Sequence, residues 1–390
     1  VWNGPAAALN QHIFKVEFDA DQVDKTFFRH AINQKLDELI GSAQGGVGLR
    51  HVTKGTFERT RIALPPLAEQ KRIAQKLDAL MAQVSPLKSR IDAVPALLKR
   101  FRQTALNAAV SGGLAATSEI TYGSEGTIQL NERARPISVE ELAHALEITG
   151  EKFPDQWSVY ALEQLVDQER GIPYGIVQTG EHIDGGVPTV RCGDVKQLTV
   201  DTTCLKQVTS SIEANYQRTR LKGGEVLLAI RGSVGNTAVA PNSLAGSNIS
   251  REVAMIPCTR DVDARFIALT LQSPRGQQQL AGKTRGVAQK GINLADVRRL
   301  PIALPPLTMQ RQIVHCTEQL FTLADQLEAK VDAAQKRIDA LTPSLLAKAF
   351  RGELVPQDPS DEPASVLLER IRAQRAAAPK PKRGRKVTAN

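Results

Sequence analysis

Two long stretches of the chain carry apolar residues in a strict 4,3 alternation. The first runs Ile73, Leu77, Leu80, Val84, Leu87, Ile91, Val94, Leu98, Phe101, Ala105; the second runs Ile313, Thr317, Leu320, Ala324, Leu327, Val331, Ala334, Ile338, Leu341, Leu345, in the same phase. A 3.5-residue repeat keeps one stripe of an α-helix turned toward a partner, so each stretch is predicted to be a coiled-coil helix. Each opens behind a diproline, Pro65-Pro66 or Pro305-Pro306, and closes near a glycine, Gly112 or Gly352. Unbroken, roughly 40–45 residues at ~1.5 Å each make a rod of about 60–68 Å. Pro86, Pro95 and Pro343 lie inside the patterns, so that length is an upper bound. Equal length and equal phase favour the two helices pairing antiparallel within the one chain over each packing on its own globule.

The helices belong to an internal duplication. Ile62-Ala63-Leu64-Pro65-Pro66-Leu67 recurs 240 residues later as Ile302-Ala303-Leu304-Pro305-Pro306-Leu307. At the same offset Gln70 meets Gln310, Gly46-Val47 meets Gly286-Val287, and Leu106, Ala109, Gly112 and Leu114 meet Leu346, Ala349, Gly352 and Leu354. Val23, Asp24 and Phe27 match Val262, Asp263 and Phe266 within one residue of that offset. Residues 1–60 therefore look like the last third of a first copy whose beginning is absent; on this reading the chain is truncated, a naturally short chain being the alternative.

Residues 151–300 alternate short β-rich runs, such as Val187 to Val190 and Glu225 to Ile230, with Gly-rich turns, and Asp263 to Leu271 looks helical. The fold class expected is α+β: mixed α/β domains joined by two long helices in an antiparallel coiled coil. The organisation expected is residues 1–60 as the end of a first domain, 61–114 as the first helix, and 115–150 as a linker with a short helix opened by the capping box Ser138 to Glu141. Residues 151–300 follow as the second domain, 301–354 as the second helix, and 355–390 as a short helix and a basic tail.

Composition narrows this picture. At 390 residues and 42% apolar, the chain can bury several cores, and disorder throughout is excluded. Aromatics at 4% argue against a fold built on stacking platforms. No apolar run approaches a membrane span and no signal peptide is visible. Cys192, Cys204, Cys258 and Cys316 form no Cys-x-x-Cys pair, so reduced thiols in a cytoplasmic chain are expected. The net charge of +9 hints at nucleic acid, though part of it sits in the tail at Pro379 to Lys386.

Catalytic motifs are missing: no nucleophile elbow, no phosphate loop ending in Gly-Lys-Ser/Thr, no dinucleotide fingerprint, and no Asn/Asp-Pro-Pro-aromatic run. A nuclease-like set from Pro154-Asp155 and Glu328-Ala329-Lys330 fails because its second element lies on a heptad helix. Loop chemistry suited to phosphates and base edges remains. Ala229 to Gly235 puts Arg231 and Ser233 on a tight turn after a strand. The stretch 283–293 carries Lys283, Arg285, Gln289, Lys290 and Asn293; arginine pairs with guanine in two-point fashion, and Gln or Asn with adenine. Its counterpart in the first copy holds Arg50, with Lys54 after it, and Arg170, Tyr174, Arg191 and Lys222 complete the candidate DNA-binding set. The seam positions Ile73, Leu77, Leu80, Leu87, Ile91, Leu98, Ile313, Leu320, Leu327, Val331, Ile338 and Leu345 are candidates for pairing or partner docking.

The duplicated Ile-Ala-Leu-Pro-Pro-Leu with Gln70 or Gln310, the heptad helices, the helix ends at Gly112-Gly113-Leu114 and Gly352-Glu353-Leu354, and Phe153-Pro154-Asp155-Gln156-Trp157 together resemble the specificity subunit of type I restriction–modification systems. The resemblance implies target recognition domains that each read half of a split, asymmetric double-stranded DNA sequence in the major groove. It implies helices that act as a spacer and dock two modification subunits, with restriction subunits joining them. S-adenosylmethionine, ATP and Mg2+ are then expected on the partner subunits, and this chain binds no cofactor or metal and performs no catalysis. The alternative is a coiled-coil scaffold for other proteins without DNA readout.

Overall fold

The computed structural model describes residues 16–41, 52–114, 128–150, 157–286 and 291–377. Of the sequence expectations, Arg50, Gln289, Lys290, Phe153 to Gln156 and the tail from Pro379 lie outside the described residues. In chain order the elements are α1 (Lys25–Gln34), α2 (Leu36–Gly41), α3 (Lys54–Arg59), α4 (Leu67–Val110), α5 (Val139–Thr149), β1 (Ser158–Ala161), β2 (Val187–Val190), β3 (Lys206–Val208), α6 (Ser210–Glu213), β4 (Val226–Ala229), β5 (Thr237–Val239), β6 (Asn248–Ile249), β7 (Val253–Ile256), α7 (Ala264–Gln272), α8 (Pro274–Gly282), α9 (Leu294–Arg298), β8 (Pro301–Leu304), α10 (Leu307–Phe350) and α11 (Ala364–Ala377). The chain divides into two compact units, one of residues Val1–Pro95 with Ala329–Asn390 and one of Ala96–Glu328.

The diprolines set where the long helices begin. Pro66 and Pro306 each offer the carbonyl that accepts the first helical amide, from Gln70 and Gln310, at 2.9 Å in both copies. Both helices are 44 residues long and continue through their internal prolines. Past their ends, Gly112 and Gly352 take φ of 79° and 77°, a left-handed turn that a side chain would strain.

The first unit is helical. Phe27, Ala31, Ile73, Ala74, Leu77, Leu346 and Ala349 form its core, and Phe27 meets Phe350 at 5.3 Å between ring centroids. Here the first part of α4 runs antiparallel to the last part of α10: Thr342 lies against Met81, and Lys88 pairs with Asp339. Asp24 caps α1 through the amides of Thr26 and Phe27. Arg72 holds Asp361 at 2.6 Å, and Gln22 bonds Gln374 of α11.

The second unit is mixed. Its strands form the ribbon β1-β8 and two three-stranded sheets, β3-β2-β6 and β5-β4-β7. β4 is antiparallel to both neighbours, and β2 is antiparallel to β3 but parallel to β6. All four residues of β4 and of β7 are buried, as a sheet covered on both faces requires. Leu106, Ala109 and Val110 of α4 join Met309, Ile313 and Val314 of α10 in the same core as Trp157 and Phe266. Arg102 reaches Asp325 at 2.6 Å and Glu328 at 2.7 Å, which fixes an antiparallel register here too. The α+β class with two long helices is what the periodicity predicted.

Along the seam the pattern is uneven. Ile73, Leu77, Leu98, Ile313 and Ile338 are buried, while Leu80, Ile91, Leu320, Val331 and Leu345 are half-buried. Leu87 and Leu327 depart from the expected seam, remaining 47% and 41% exposed. Away from the domain cores the stripe is buried at Leu98, Ala324 and Ile338 and open at Leu87 and Leu327.

One device occurs twice. Gln70 is fully buried; its carbonyl accepts from the Asp24 amide at 2.8 Å, and its amino group donates to the carbonyls of Pro65 and Gln22. Gln310, also fully buried, accepts from the Asp263 amide at 2.8 Å and donates to Pro305. Each glutamine thus ties the start of a long helix to the residue that caps α1 or α7. Replacing Gln310 with Ala leaves a buried amide and carbonyl unpaired, so a loss of about 2–4 kcal/mol is expected in urea unfolding.

Within the second unit α5 is fastened by Arg299, which meets Glu163 at 2.7 Å and both oxygens of Glu141. The Arg299 hydrogen bond lowers the Glu141 pKa from its ordinary carboxylate value to about 2. A lowered folded pKa stabilises above the unfolded value near 4.5 and is lost as pH falls toward 2. Thermal unfolding of wild type is therefore expected to lose about 2 kcal/mol between those values, a step that Glu141→Gln removes.

Candidate nucleic-acid interface

The candidate site lies where the loops following β2, β4 and β6 converge. Chain reversal after β4 needs a tight turn, supplied by Gly232 and Gly235, and it leaves Arg231 and Ser233 exposed. The Ile230 amide donates to the Glu252 carbonyl at 2.9 Å, and the Ser250 amide donates to the Val190 carbonyl at 2.9 Å. These bonds hold the turns bearing Arg191, Arg231 and Arg251 side by side.

The 283–293 stretch is drawn to the same edge. The Ile292 amide donates to the Ile230 carbonyl at 2.9 Å, and Arg285 and Gly291 exchange backbone hydrogen bonds at 2.9 and 3.0 Å. Asn293 consequently faces Arg231. A cavity of about 220 Å3 opens between them, lined by Tyr174, Val177, Arg231, Arg251, Asn293 and Leu294 among others. Gly175 makes this possible: a Cβ there would stand 1.8 Å from the Ile249 carbonyl oxygen, so only glycine lets the Tyr174 segment lie against β6.

Electrostatically the edge is basic and mostly uncommitted. Arg231 and Arg251 make no side-chain hydrogen bond or ion pair among the described residues, while Arg285, 75% exposed, stands 3.7 Å from Asp296. Arg191 is partly engaged by Asp194 at 3.4 Å. Tyr174 offers an exposed ring among these cations. Such a set can contact phosphates through guanidinium groups and base edges through Arg and Asn. Sequence reasoning missed Arg251; its signal was a cation in the short turn Ser250-Arg251-Glu252 just before the apolar run Val253 to Ile256.

Other expected residues fall elsewhere. Arg170 is half-buried and already engaged: it pairs with the buried Glu225 carboxylate at 2.6 Å and donates to the Arg220 carbonyl. Lys222 precedes β4 whereas Arg231 follows it, which puts the two at opposite ends of that strand. Lys54 sits on α3 of the other unit, 3.7 Å from Glu58. Lys283 ends α8, half-buried. All four cysteines are free, and burial pushes the Cys258 thiol up to about 12. Among the described residues no group of three or more His, Cys, Asp or Glu could hold a metal ion, and no helix is long and apolar enough to cross a membrane.

Comparison with known proteins gives the family. The family described as type I restriction modification DNA specificity domain matches residues 2–95 and 154–334, which is more than half of the chain. The chain belongs to that family. It is 34% identical over 397 residues to the type I restriction enzyme EcoBI specificity subunit of Escherichia coli, covering 99% of this chain and 79% of the relative. Against the EcoKI specificity subunit of Escherichia coli strain K12 the identity is 31%, over 89% of this chain and 71% of that one. A chain solved in work on complex assembly and conformational transition of the type I R-M system shares the fold at a TM-score of 0.53 and 22% identity, covering 84% of this chain and 71% of that one. In this specificity-domain chain Arg170 and Arg231 differ in what holds them: Arg170 pairs with a buried carboxylate, and Arg231 has no side-chain partner among the described residues. Arg170→Ala strips a buried carboxylate of its partner and is expected to cost about 3–5 kcal/mol, whereas Arg231→Ala should stay within about 0.5 kcal/mol of wild type, as read by chemical denaturation.

Proposed function

We propose that this chain is the DNA-reading subunit of a type I restriction–modification assembly and supplies recognition and scaffolding without catalysis. The match of a DNA specificity domain over the second unit carries the reading, and the convergent basic edge supports it. Arg231, Arg251 and Arg285 are assigned to phosphates and guanine edges, Asn293 to an adenine edge, and Tyr174 to packing against the duplex. The duplication suits an asymmetric, bipartite site, because two copies with unlike loops need not read the same bases.

Partner subunits are the second part of the reading. In the second unit Leu97 and Phe101 of α4 and Leu323 and Leu327 of α10 are exposed by 57%, 37%, 49% and 41%. The Arg102–Asp325 pair sets a register that brings these i,i+4 rows roughly abreast. An apolar strip on paired helices suits docking of the modification subunits, with the restriction subunits joining the assembly. S-adenosylmethionine, ATP and Mg2+ then act on those partners.

The test is DNA binding by the chain assembled with its modification subunits, measured across salt concentrations on a methylated-site oligonucleotide and on scrambled DNA. Arg231→Ala with Arg251→Ala is expected to weaken binding at least tenfold and to flatten the salt dependence by about 0.9 per lost phosphate contact. Asn293→Ala should relax choice at a single base position by about 1–3 kcal/mol. Binding that ignores sequence, unchanged in all variants, overturns the proposal in favour of a scaffold without DNA readout.

A further inference from the structure

Within the second unit a rigid turn holds two further arginines side by side. The Asp167 carboxylate accepts the amides of Glu169 and Arg170 at 2.9 Å, the Gly171 amide donates to the Asp167 carbonyl at 2.9 Å, and the Arg170 side chain is anchored on Glu225. The carbonyls of this turn are taken by Arg218 and Arg298. Arg218 donates from Nε to the Arg170 carbonyl at 3.1 Å, and Arg298, the last residue of α9, donates from Nη2 to the Ile172 carbonyl at 3.0 Å. One bond each, to carbonyls two residues apart, holds both guanidinium groups on one cleft of about 210 Å3, bordered also by Asn131, Glu163 and Gly171.

The charge on this cleft is unbalanced. Neighbouring arginines each hold a carboxylate: Arg170 pairs with Glu225, Arg220 with Glu213, and Arg299 with Glu141 and Glu163. Glu163 borders the cleft but is thus already engaged. Arg218, exposed, and Arg298, half-buried, make no ion pair among the described residues, and the N–H groups left over from their carbonyl bonds have no acceptor there. Two cations fixed close together repel, and an anion between them removes that cost. A guanidinium fork matches the oxygens of a phosphate in two-point fashion, so a phosphate is the anion that two such forks suit best.

We propose that Arg218 and Arg298 form a phosphate site that holds the DNA backbone beside the recognition edge and sets the register of the duplex on the second unit; this rests on the DNA reading above. The elements that build the cleft also build the edge. The turn through Ile172 leads into Tyr174, and α9, which ends on Arg298, opens behind Asn293. The five residues of α9 at ~1.5 Å each place the two ends about 7–8 Å apart. A DNA strand carries one charge per ~3.4 Å of helix axis, so a strand whose bases meet Arg231 and Asn293 has a phosphate within reach of the cleft. Phosphate contacts position the duplex and carry no sequence information directly. Arg218 and Arg298 therefore act on every sequence alike, whereas Asn293 acts on one base.

The test compares the whole chain, assembled with its modification subunits, with the variant Arg218→Ala/Arg298→Ala on a target duplex and a scrambled duplex over a range of salt. The variant is expected to bind both duplexes at least tenfold more weakly, with their ratio unchanged, and to lower the slope of log affinity against log salt by about 0.9 for one lost phosphate. In a second arm, methylphosphonate replaces the phosphates of the target duplex one at a time. Neutralising the phosphate in the cleft should weaken wild type and leave the variant unaffected; because that change is in the DNA, it leaves the folding of the chain untouched. A sequence-selective wild type matched by the variant, or no position whose methylphosphonate effect the variant abolishes, overturns the phosphate site and leaves the DNA reading standing. A wild type without sequence choice, on which the variant still weakens binding, does the reverse, and a wild type that binds no DNA overturns both. A changed ratio between the duplexes would make the cleft a reader of bases. Tight, saturable binding of inorganic phosphate at constant ionic strength, lost in the variant, would make it a site for a free anion; either result overturns the backbone assignment.

Discussion

Two buried glutamines set the architecture. Gln70 and Gln310 each sit one turn into a long helix, and each spends its side-chain amide on backbone groups from the opposing cap at Asp24 or Asp263. A glutamine amide buried without partners costs several kcal/mol, so the helix start and the capped helix are locked as a pair in both copies. The diprolines before them, the phenylalanines after the caps and the left-handed glycines past the helix ends all serve that joint. It ties α1 to the start of α4 and α7 to the start of α10.

Placed on that joint, the second unit presents its turns at one edge. Strands β4, β7 and β8 are apolar and buried throughout, and the exposed cations of the site stand on the turns, as expected where a rigid scaffold carries variable loops. The sheet hydrogen bonds from Ile230 and Ser250 bring together turns that are up to about sixty residues apart. The guanidinium groups of Arg231 and Arg251, unpaired among the described residues, lie beside Asn293 and Tyr174 because of this convergence and through no local feature of the sequence.

The division between what could and could not be read from the chain is instructive. The 4,3 spacing, the diprolines and the 240-residue offset made the long helices, their limits and the duplication legible, because these depend on local periodicity. The capping box before α5 was legible from its local Ser-x-x-Glu pattern, and the helix from Asp263 to Leu271 from its local sequence. The ion pair of Arg170 was not, since it depends on Glu225, 55 residues away. Nor was Arg251, whose place beside Arg231 and Asn293 depends on how β6 and β7 meet the sheet. Leu87 and Leu327 fit the heptad phase yet lie open, because periodicity states which positions share a stripe and leaves open what covers it.

The central claim is that base choice resides in the converging turns of the second unit. Its most direct measurement is methylation mapping across the genome of a host that expresses this chain with its modification partners, before and after residues 157–300 are exchanged for the matching segment of a related specificity subunit. The account predicts that one half of the methylated sequence changes to that of the donor while the other half is retained. An unchanged methylated sequence would contradict it.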